Sequence, residues 1–287
     1  MKVRLISATV GIILLCVVLL LRDVPFVLRG ALAVLSAVAV YEMLAAQKLK
    51  EHRELVWISV LGAAVICLIP TELFKTYSAV LLFVYLILLF LIMMRKRESL
   101  GIEQIAIDFM MTLLIPLGFL PLALINELRT FEAFSTLTSG DTLFLLLLSL
   151  GGAWIADSGA YFAGRLFGKH KLAPVISPKK TIEGLIGGVV CNMLIFALIG
   201  FVYTRIDSTV SVNYLQMMIL GGMAALLGCA GDLTASAIKR KANIKDYGNI
   251  MPGHGGVLDR FDSILFVVPA MYLLVRYLWD FWPLIIR

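Results

Sequence analysis

The sequence predicts an all-α, polytopic integral membrane protein with about nine transmembrane helices and a cytoplasmic N-terminus. Three observations lead there. The 287 residues are 61% hydrophobic and only 15% charged, with a mean hydropathy of +0.96, more apolar surface than a soluble domain of this length needs. Runs such as Leu5–Leu21, Ala79–Met94 and Leu143–Ala156 are nearly free of charge, the pattern of helices that face lipid. The basic residues, finally, fall in alternate connections. Period-2 alternation is absent, which argues against a membrane β-barrel.

Taken in order, the first span, 5–21, follows Lys2 and Arg4 and ends at Arg22-Asp23. Its opening imitates a signal peptide, but no small-x-small cleavage site follows, so it reads as an uncleaved first span. Spans 25–43 and 55–72 flank a loop with Lys48, Lys50 and Arg53, and span 76–94 runs into Arg95, Lys96 and Arg97. Spans 105–126 and 142–166 follow. Arg165, Lys169, Lys171, Lys179 and Lys180 then precede span 182–203, and Lys239, Arg240, Lys241 and Lys245 separate span 214–238 from span 257–282. The N-terminus and these loops hold seventeen of the 25 Lys and Arg, whereas the other connections carry isolated cations such as Arg22, Lys75, Arg129 and Arg205. By the positive-inside rule the basic loops are cytoplasmic and the C-terminus lies across the membrane.

The chain divides by character. Residues 1–127, helices one to five, read as scaffold and lipid contact, and residues 142–287, helices six to nine, carry the polar positions. Cys16, Cys67, Cys191 and Cys229 sit in apolar runs without metal-like spacing and read as small core hydrophobes. His52 and His170, in basic loops, read as solvated.

Residues 231–263 concentrate the chemistry. Lys239, Arg240, Lys241, Lys245, Arg260 and His254, if protonated, stand among Asp232, Asp246, Asp259 and Asp262. Such charge at a bilayer boundary points to function. Asp232 lies seven residues before Lys239, about 10 Å below the cytoplasmic end of span eight at 1.5 Å per residue. Asp259 and Asp262, three apart, are expected on one face at the start of span nine. Carboxylates near phosphate-binding cations are how proteins hold Mg²⁺; the plainer alternative is that Asp259 and Asp262 only pair with Arg260 and Lys245 or sit at a helix start. Between them Pro252-Gly253-His254-Gly255-Gly256 can bring backbone N–H groups around an anion, or simply turn the chain.

A second cluster runs from Asp157 to Glu183. Asp157, Tyr161 and Arg165, spaced four apart, form one polar stripe on span six. Ser177-Pro178-Lys179-Lys180-Thr181 reads as a helix start, with Ser177 as cap and Pro178 at the first helical position, and the two lysines add charge to an anion site. The bland reading is ordinary caps and loop lysines. Gly164 to His170 has the wrong spacing for a P-loop and lacks Ser or Thr after Lys169.

Ser236-x-Ile238-Lys239-Arg240-x4-Lys245-Asp246-x-Gly248, followed by Pro252-x-His254-Gly255-Gly256-Val257-x-Asp259-Arg260-Phe261-Asp262, resembles the signature of the phosphatidate cytidylyltransferases (CDP-diacylglycerol synthases). Asp157 to Phe162 and Ser177-Pro178-Lys179-Lys180-Thr181-x-Glu183-Gly184 resemble that family's second block. Met251, where the family usually has Ile, Leu or Phe, is a volume-conserving departure. The resemblance implies Mg²⁺-dependent conversion of CTP and phosphatidate to CDP-diacylglycerol and pyrophosphate, with a second cation left open. By matching position it implies Asp232, Asp259 and Asp262 as metal ligands, with Asp232, Asp259, Asp262 and Asp246 also in the catalytic set. Lys239, Arg240, Lys245, His254 and Arg260 join the catalytic set, and Asp157, Tyr161, Arg165, Ser177, Pro178, Lys179, Lys180, Thr181, Glu183, Ser236, Gly255 and Gly256 the substrate-binding set. The implied partners are CTP, phosphatidate, membrane lipids and a second copy in a homodimer, with no nucleic acid, and the implied location is a plasma or inner membrane with the site facing the cytoplasm.

Two other classes compete. A CTP-dependent polyprenol or phytol kinase also uses CTP, but the long string of motifs fits the cytidylyltransferases better. An anion transporter predicts polar residues continuing to the far side, where spans six to nine hold only Arg276 and Asp280. The DGxxAR…GxxxD arrangement of CDP-alcohol phosphotransferases is absent.

Overall fold

The structure is a computed structural model that describes residues 2–253, 255–279 and 283–286, with side chains from residue 5 onward. In chain order its helices are α1 (Lys2–Leu20), α2 (Val27–Ala46), α3 (Arg53–Leu68), α4 (Thr71–Arg95), α5 (Ile102–Glu127), α6 (Ser139–Phe167), α7 (Ile182–Ile206), α8 (Tyr214–Lys241), α9 (Leu258–Phe261) and α10 (Ile264–Leu278). Among the described residues α2, α4, α5, α6, α7 and α8 are long and apolar enough to cross a membrane, and Leu5–Leu20 and Ile264–Leu278 are shorter apolar helices. The protein is an α-helical membrane protein. Its strands are few and short: β1 (Lys171–Ala173) pairs antiparallel with β2 (Ser177–Thr181), and β3 (Ser211–Val212) with β4 (Ile285–Ile286).

The chain forms two compact units, and the division is not a single cut. One comprises residues 1–120 and 241–261, the other 121–240 and 262–287. The glycine-rich segment before Asp259 therefore packs within the unit of the first helices.

In the first unit, buried polar side chains join the helices. Arg29 of α2 donates to the carbonyls of Cys67 (3.2 Å) and Ile69 (2.6 Å) and to Thr71 Oγ1 (2.7 Å). It thereby meets carbonyls that the end of α3 leaves without helical partners. Asp108 of α5 is fully buried, and its Oδ2 accepts from Ser59 Oγ of α3 and Tyr85 OH of α4, each at 2.9 Å. These contacts satisfy charges that hydrocarbon would otherwise make costly. α4 buries little beyond Leu89 and Ile92, so its remaining apolar surface suits lipid.

In the second unit α6 and α7 pack closely along their length. Gly188 makes this possible: a Cβ there would lie 2.8 Å from the Ala156 carbonyl, the close backbone approach that small residues allow between membrane helices. Asn192 of α7 ties three helices by donating to the carbonyls of Gly152 (3.0 Å) and Gly221 (2.7 Å). α6 begins at Ser139, three residues before the expected start. Thr138 and Asp141 form a capping box, and Tyr203 donates to Asp141 Oδ1 at 2.6 Å.

Two expected elements change. Ser177 and Pro178 do not open a helix; they lie in β2, and α7 starts at Ile182. Thr181 is its cap, accepting the Gly184 N–H at 3.1 Å, while Pro178, without a donor, sits in a two-stranded hairpin where few ladder bonds are needed. The ninth run is also interrupted. A turn at Asp262–Ser263 separates α9 from α10, so Asp259 and Asp262 do not share one helix face.

Candidate functional site

The second unit contains a cavity of about 400 Å³ lined by α6, the β1–β2 hairpin, α7 and α8. Asp157, Tyr161 and Arg165 reach it from α6 at their expected four-residue spacing, with Arg165 Nη1 donating to Tyr161 OH at 3.4 Å. Lys179, Lys180 and Thr181 enter from β2 and Asp232 from α8. Lys180 Nζ stands 2.6 Å from Asp232 Oδ2, and Ser236 Oγ donates to Asp232 Oδ1 at 3.2 Å. Burial disfavours the Lys180 ammonium, but Asp232 beside it outweighs that and raises its pKa. Lys180 is therefore charged.

Asp262 lies close to the same acidic group. The Asp262 turn abuts α8 at Gly231, where a Cβ would come within 2.8 Å of the Asp262 carbonyl. Asp262 Oδ1 accepts the Ser263 N–H at 2.8 Å. Arg240 is exposed at the end of α8.

The hairpin that delivers Lys179 and Lys180 is held by Glu183. Its carboxylate accepts the N–H groups of Lys169 (3.0 Å) and His170 (3.2 Å) and lies 2.6 Å from His170 Nδ1. His170 is thus partnered rather than merely solvated, and Glu183 braces the hairpin. Ser177 and Pro178 do not line the cavity. Cys229 does, with Lys180 Nζ 3.8 Å from its Sγ. Among the four free cysteines only Cys67 is buried, which corrects the reading of all four as core.

The remaining expected residues belong to the first unit. Lys245, Asp246 and Arg260 are exposed, and His254 lies outside the described residues. Asp259 Oδ2 accepts the N–H groups of Tyr247 (2.7 Å) and Gly256 (3.0 Å). Gly255 has φ +91°, which glycine adopts without strain. The N–H groups of Val257 and Leu258 go to the carboxylate of Glu42 on α2, at 3.0 and 2.9 Å. The anion cradle expected of this loop is occupied by the protein's own carboxylates. Sequence reasoning missed Glu42. Its signal was a lone acid in an otherwise apolar span, the same signal that marks Asp108.

Oxygen donors from carboxylates and a hydroxyl at Asp157, Asp232, Asp262 and Ser236 fit a hard divalent cation. Among the described residues no three His, Cys, Asp or Glu side chains are gathered as a metal site. Mg²⁺ takes one or two carboxylates and completes its shell with water and substrate phosphates, so this donor set fits it.

The fold and the cavity define an α-helical membrane protein with a polar cleft lined by both cations and carboxylates. A model of the cytidylyltransferase family matches residues 2–278. A Staphylococcus aureus (strain COL) protein named phosphatidate cytidylyltransferase is 31% identical over 287 residues, 96% of this chain and 99% of the relative. Proteins of the same name from Staphylococcus haemolyticus and Staphylococcus saprophyticus are 44% and 41% identical over 138 residues, 48% of this chain. Those two alignments span about half the length of each relative (51%). The chain belongs to the cytidylyltransferase family.

Proposed function

We propose that the chain transfers the cytidylyl group of CTP to phosphatidate, yielding CDP-diacylglycerol and pyrophosphate. A phosphate oxygen of phosphatidate attacks the α-phosphorus of CTP; the bond to the bridging oxygen of the β-phosphate breaks, and pyrophosphate leaves with that electron pair. The nucleophile is already an anion near neutral pH, so no strong general base is needed. The demand is to bring two anions together in line, which is positioning and electrostatics. The observation that carries the reading is the cavity where Lys179, Lys180 and Arg165 face Asp157 and Asp232.

In this reading Lys179, Lys180 and Arg165 neutralise phosphate oxygens, and Lys239 offsets the carboxylates beside it. Asp232, with Asp262 nearby and Asp259 by its motif position, would hold Mg²⁺. When bound, that ion would supply charge neutralisation on the phosphates. The proposal further includes nine membrane spans, a cytoplasmic N-terminus and site, a plasma or inner membrane location and a homodimer. A water-soluble nucleotide and a lipid that stays in the bilayer meet most directly at that face.

The experiment is incubation of the purified protein in detergent with phosphatidate, Mg²⁺ and CTP labelled either at the α- or the γ-phosphate. Label from the α-position in lipid is expected. Lipid labelled only from the γ-position would make the protein a CTP-dependent lipid kinase, and no labelled lipid would remove both readings.

A further inference from the structure

α2 carries one acidic residue, and it lies deep: Glu42 is 2% exposed. Each of its oxygens is taken by one backbone N–H of the glycine-rich segment, Oε1 by Val257 at 3.0 Å and Oε2 by Leu258 at 2.9 Å. Hydrogen bonds to a charged acceptor are the strong kind, and losing them would leave buried donors unsatisfied. The two donors immediately precede Asp259 and Arg260.

Two glycines shape the chain around this carboxylate. A Cβ on Gly256 would lie 2.5 and 2.6 Å from the Glu42 oxygens, and one on Gly248 would collide with Oε1. Either side chain would displace the carboxylate or the loop. Asp259 grips the same segment from the other end through Tyr247 and Gly256. Ser7 Oγ of α1 adds a bond to the Pro252 carbonyl at 3.0 Å. The loop that leads into Asp259 is thus wrapped around Glu42.

We propose that Glu42 is a positioning residue for the reaction: it fixes the backbone at Val257 and Leu258 and through it the placement of Asp259 and Arg260. The inference rests on the proposed cytidylyl transfer and assigns a role in it to a helix that the sequence presents only as scaffold.

The test uses the full-length protein in detergent and two independent readouts. In the wild type, amide hydrogen exchange should show the Val257 and Leu258 N–H groups protected; unprotected amides there would overturn the proposal before any variant is made. In Glu42→Gln one oxygen becomes an NH₂ that cannot accept, so exchange at this peptide should accelerate while other peptides keep their protection. kcat for CDP-lipid formation should fall about tenfold, the effect of one charge-assisted bond, with KM for phosphatidate unchanged. Gly256→Ala should accelerate the same exchange, and should accelerate it little further in a Glu42→Ala background, where the colliding carboxylate is gone. Normal exchange and kcat in Glu42→Gln, or protection lost throughout the molecule, would each sink the positioning role. If the wild type made no CDP-lipid, the proposed reaction would fall, while exchange would still decide whether Glu42 holds the loop.

Discussion

Lys180 of β2 and Asp232 of α8, fifty-two residues apart in the chain, meet at 2.6 Å in the cavity of the second unit. The pair is not a surface ornament: the side chains keep 23% and 28% of their exposure. Removing one partner alone leaves the other charge uncompensated, at a depth where water still reaches it in part. Asp157 lines the same cavity and feels the charge of the same lysine. The lysine therefore has two duties in the proposed reaction, moderating the repulsion between carboxylates and meeting an incoming phosphate.

The first prediction separates two adjacent lysines. Lys180 is half-buried and paired, whereas Lys179 lines the cavity from an exposed position. If both contact phosphate, each change to Gln removes a charge-assisted bond of roughly 1.5–3 kcal/mol, about ten- to a hundredfold in kcat/KM. Lys180→Gln should have the larger effect, because it also unbalances Asp232. Steady-state kinetics for CTP and phosphatidate separately, at unchanged yield, decide it. Unchanged constants for both variants would leave the lysines as topology signals only.

The second prediction addresses the acidic residues. Asp232→Asn and Asp259→Asn should each abolish turnover while expression and folding persist, since the proposed reaction gives both carboxylates a part in holding Mg²⁺. Near-normal Mg²⁺-dependent activity in either variant would remove that residue from the metal set. For Asp259 the loss includes a second effect, because its carboxylate also holds the Tyr247 and Gly256 N–H groups.

How much of this was legible depends on what a hydropathy run measures. Among the described residues, helices long and apolar enough to cross a membrane overlap six of the nine predicted runs, and the i, i+4 spacing of Asp157, Tyr161 and Arg165 did place them in one cavity. A run reports apolar content and not backbone continuity, so the turn at Asp262–Ser263 left no trace in it. The β1–β2 hairpin is too short for any window, and its Ser-Pro pair is compatible with a helix start or a strand. Thr181, four residues on, makes an equally good cap, and the pairing of Ser177 with Ala173 excludes the earlier start. Glu42 could be flagged as a lone acid among apolar residues, but its partners are backbone groups more than two hundred residues away, which no local pattern encodes.

The third prediction concerns orientation. If the basic loops are cytoplasmic, single cysteines introduced at 240–250, in a background with Cys16, Cys67, Cys191 and Cys229 replaced, should resist a membrane-impermeant thiol reagent in intact cells and react after lysis. Cysteines at 204–213 should show the reverse. Labelling of 240–250 from outside would invert the topology and with it the access to CTP.

The last prediction weighs the two helix starts. Thr181 is 8% exposed and its Oγ1 accepts the Gly184 N–H at 3.1 Å, one of the donors that the first turn of α7 cannot satisfy internally. Removing a cap of this type costs about 0.5–2 kcal/mol. Thr181→Ser keeps the acceptor and should keep most of the stability, whereas Thr181→Ala should lower the thermal midpoint in detergent. Ser177, in β2, caps nothing, so Ser177→Ala should leave the midpoint where it is. The capping readout does not depend on catalysis, so it remains decisive even if Thr181 also meets substrate. A midpoint lowered by Ser177→Ala and not by Thr181→Ala would restore the earlier helix start and would place Lys179 and Lys180 in its first turn instead of on a strand.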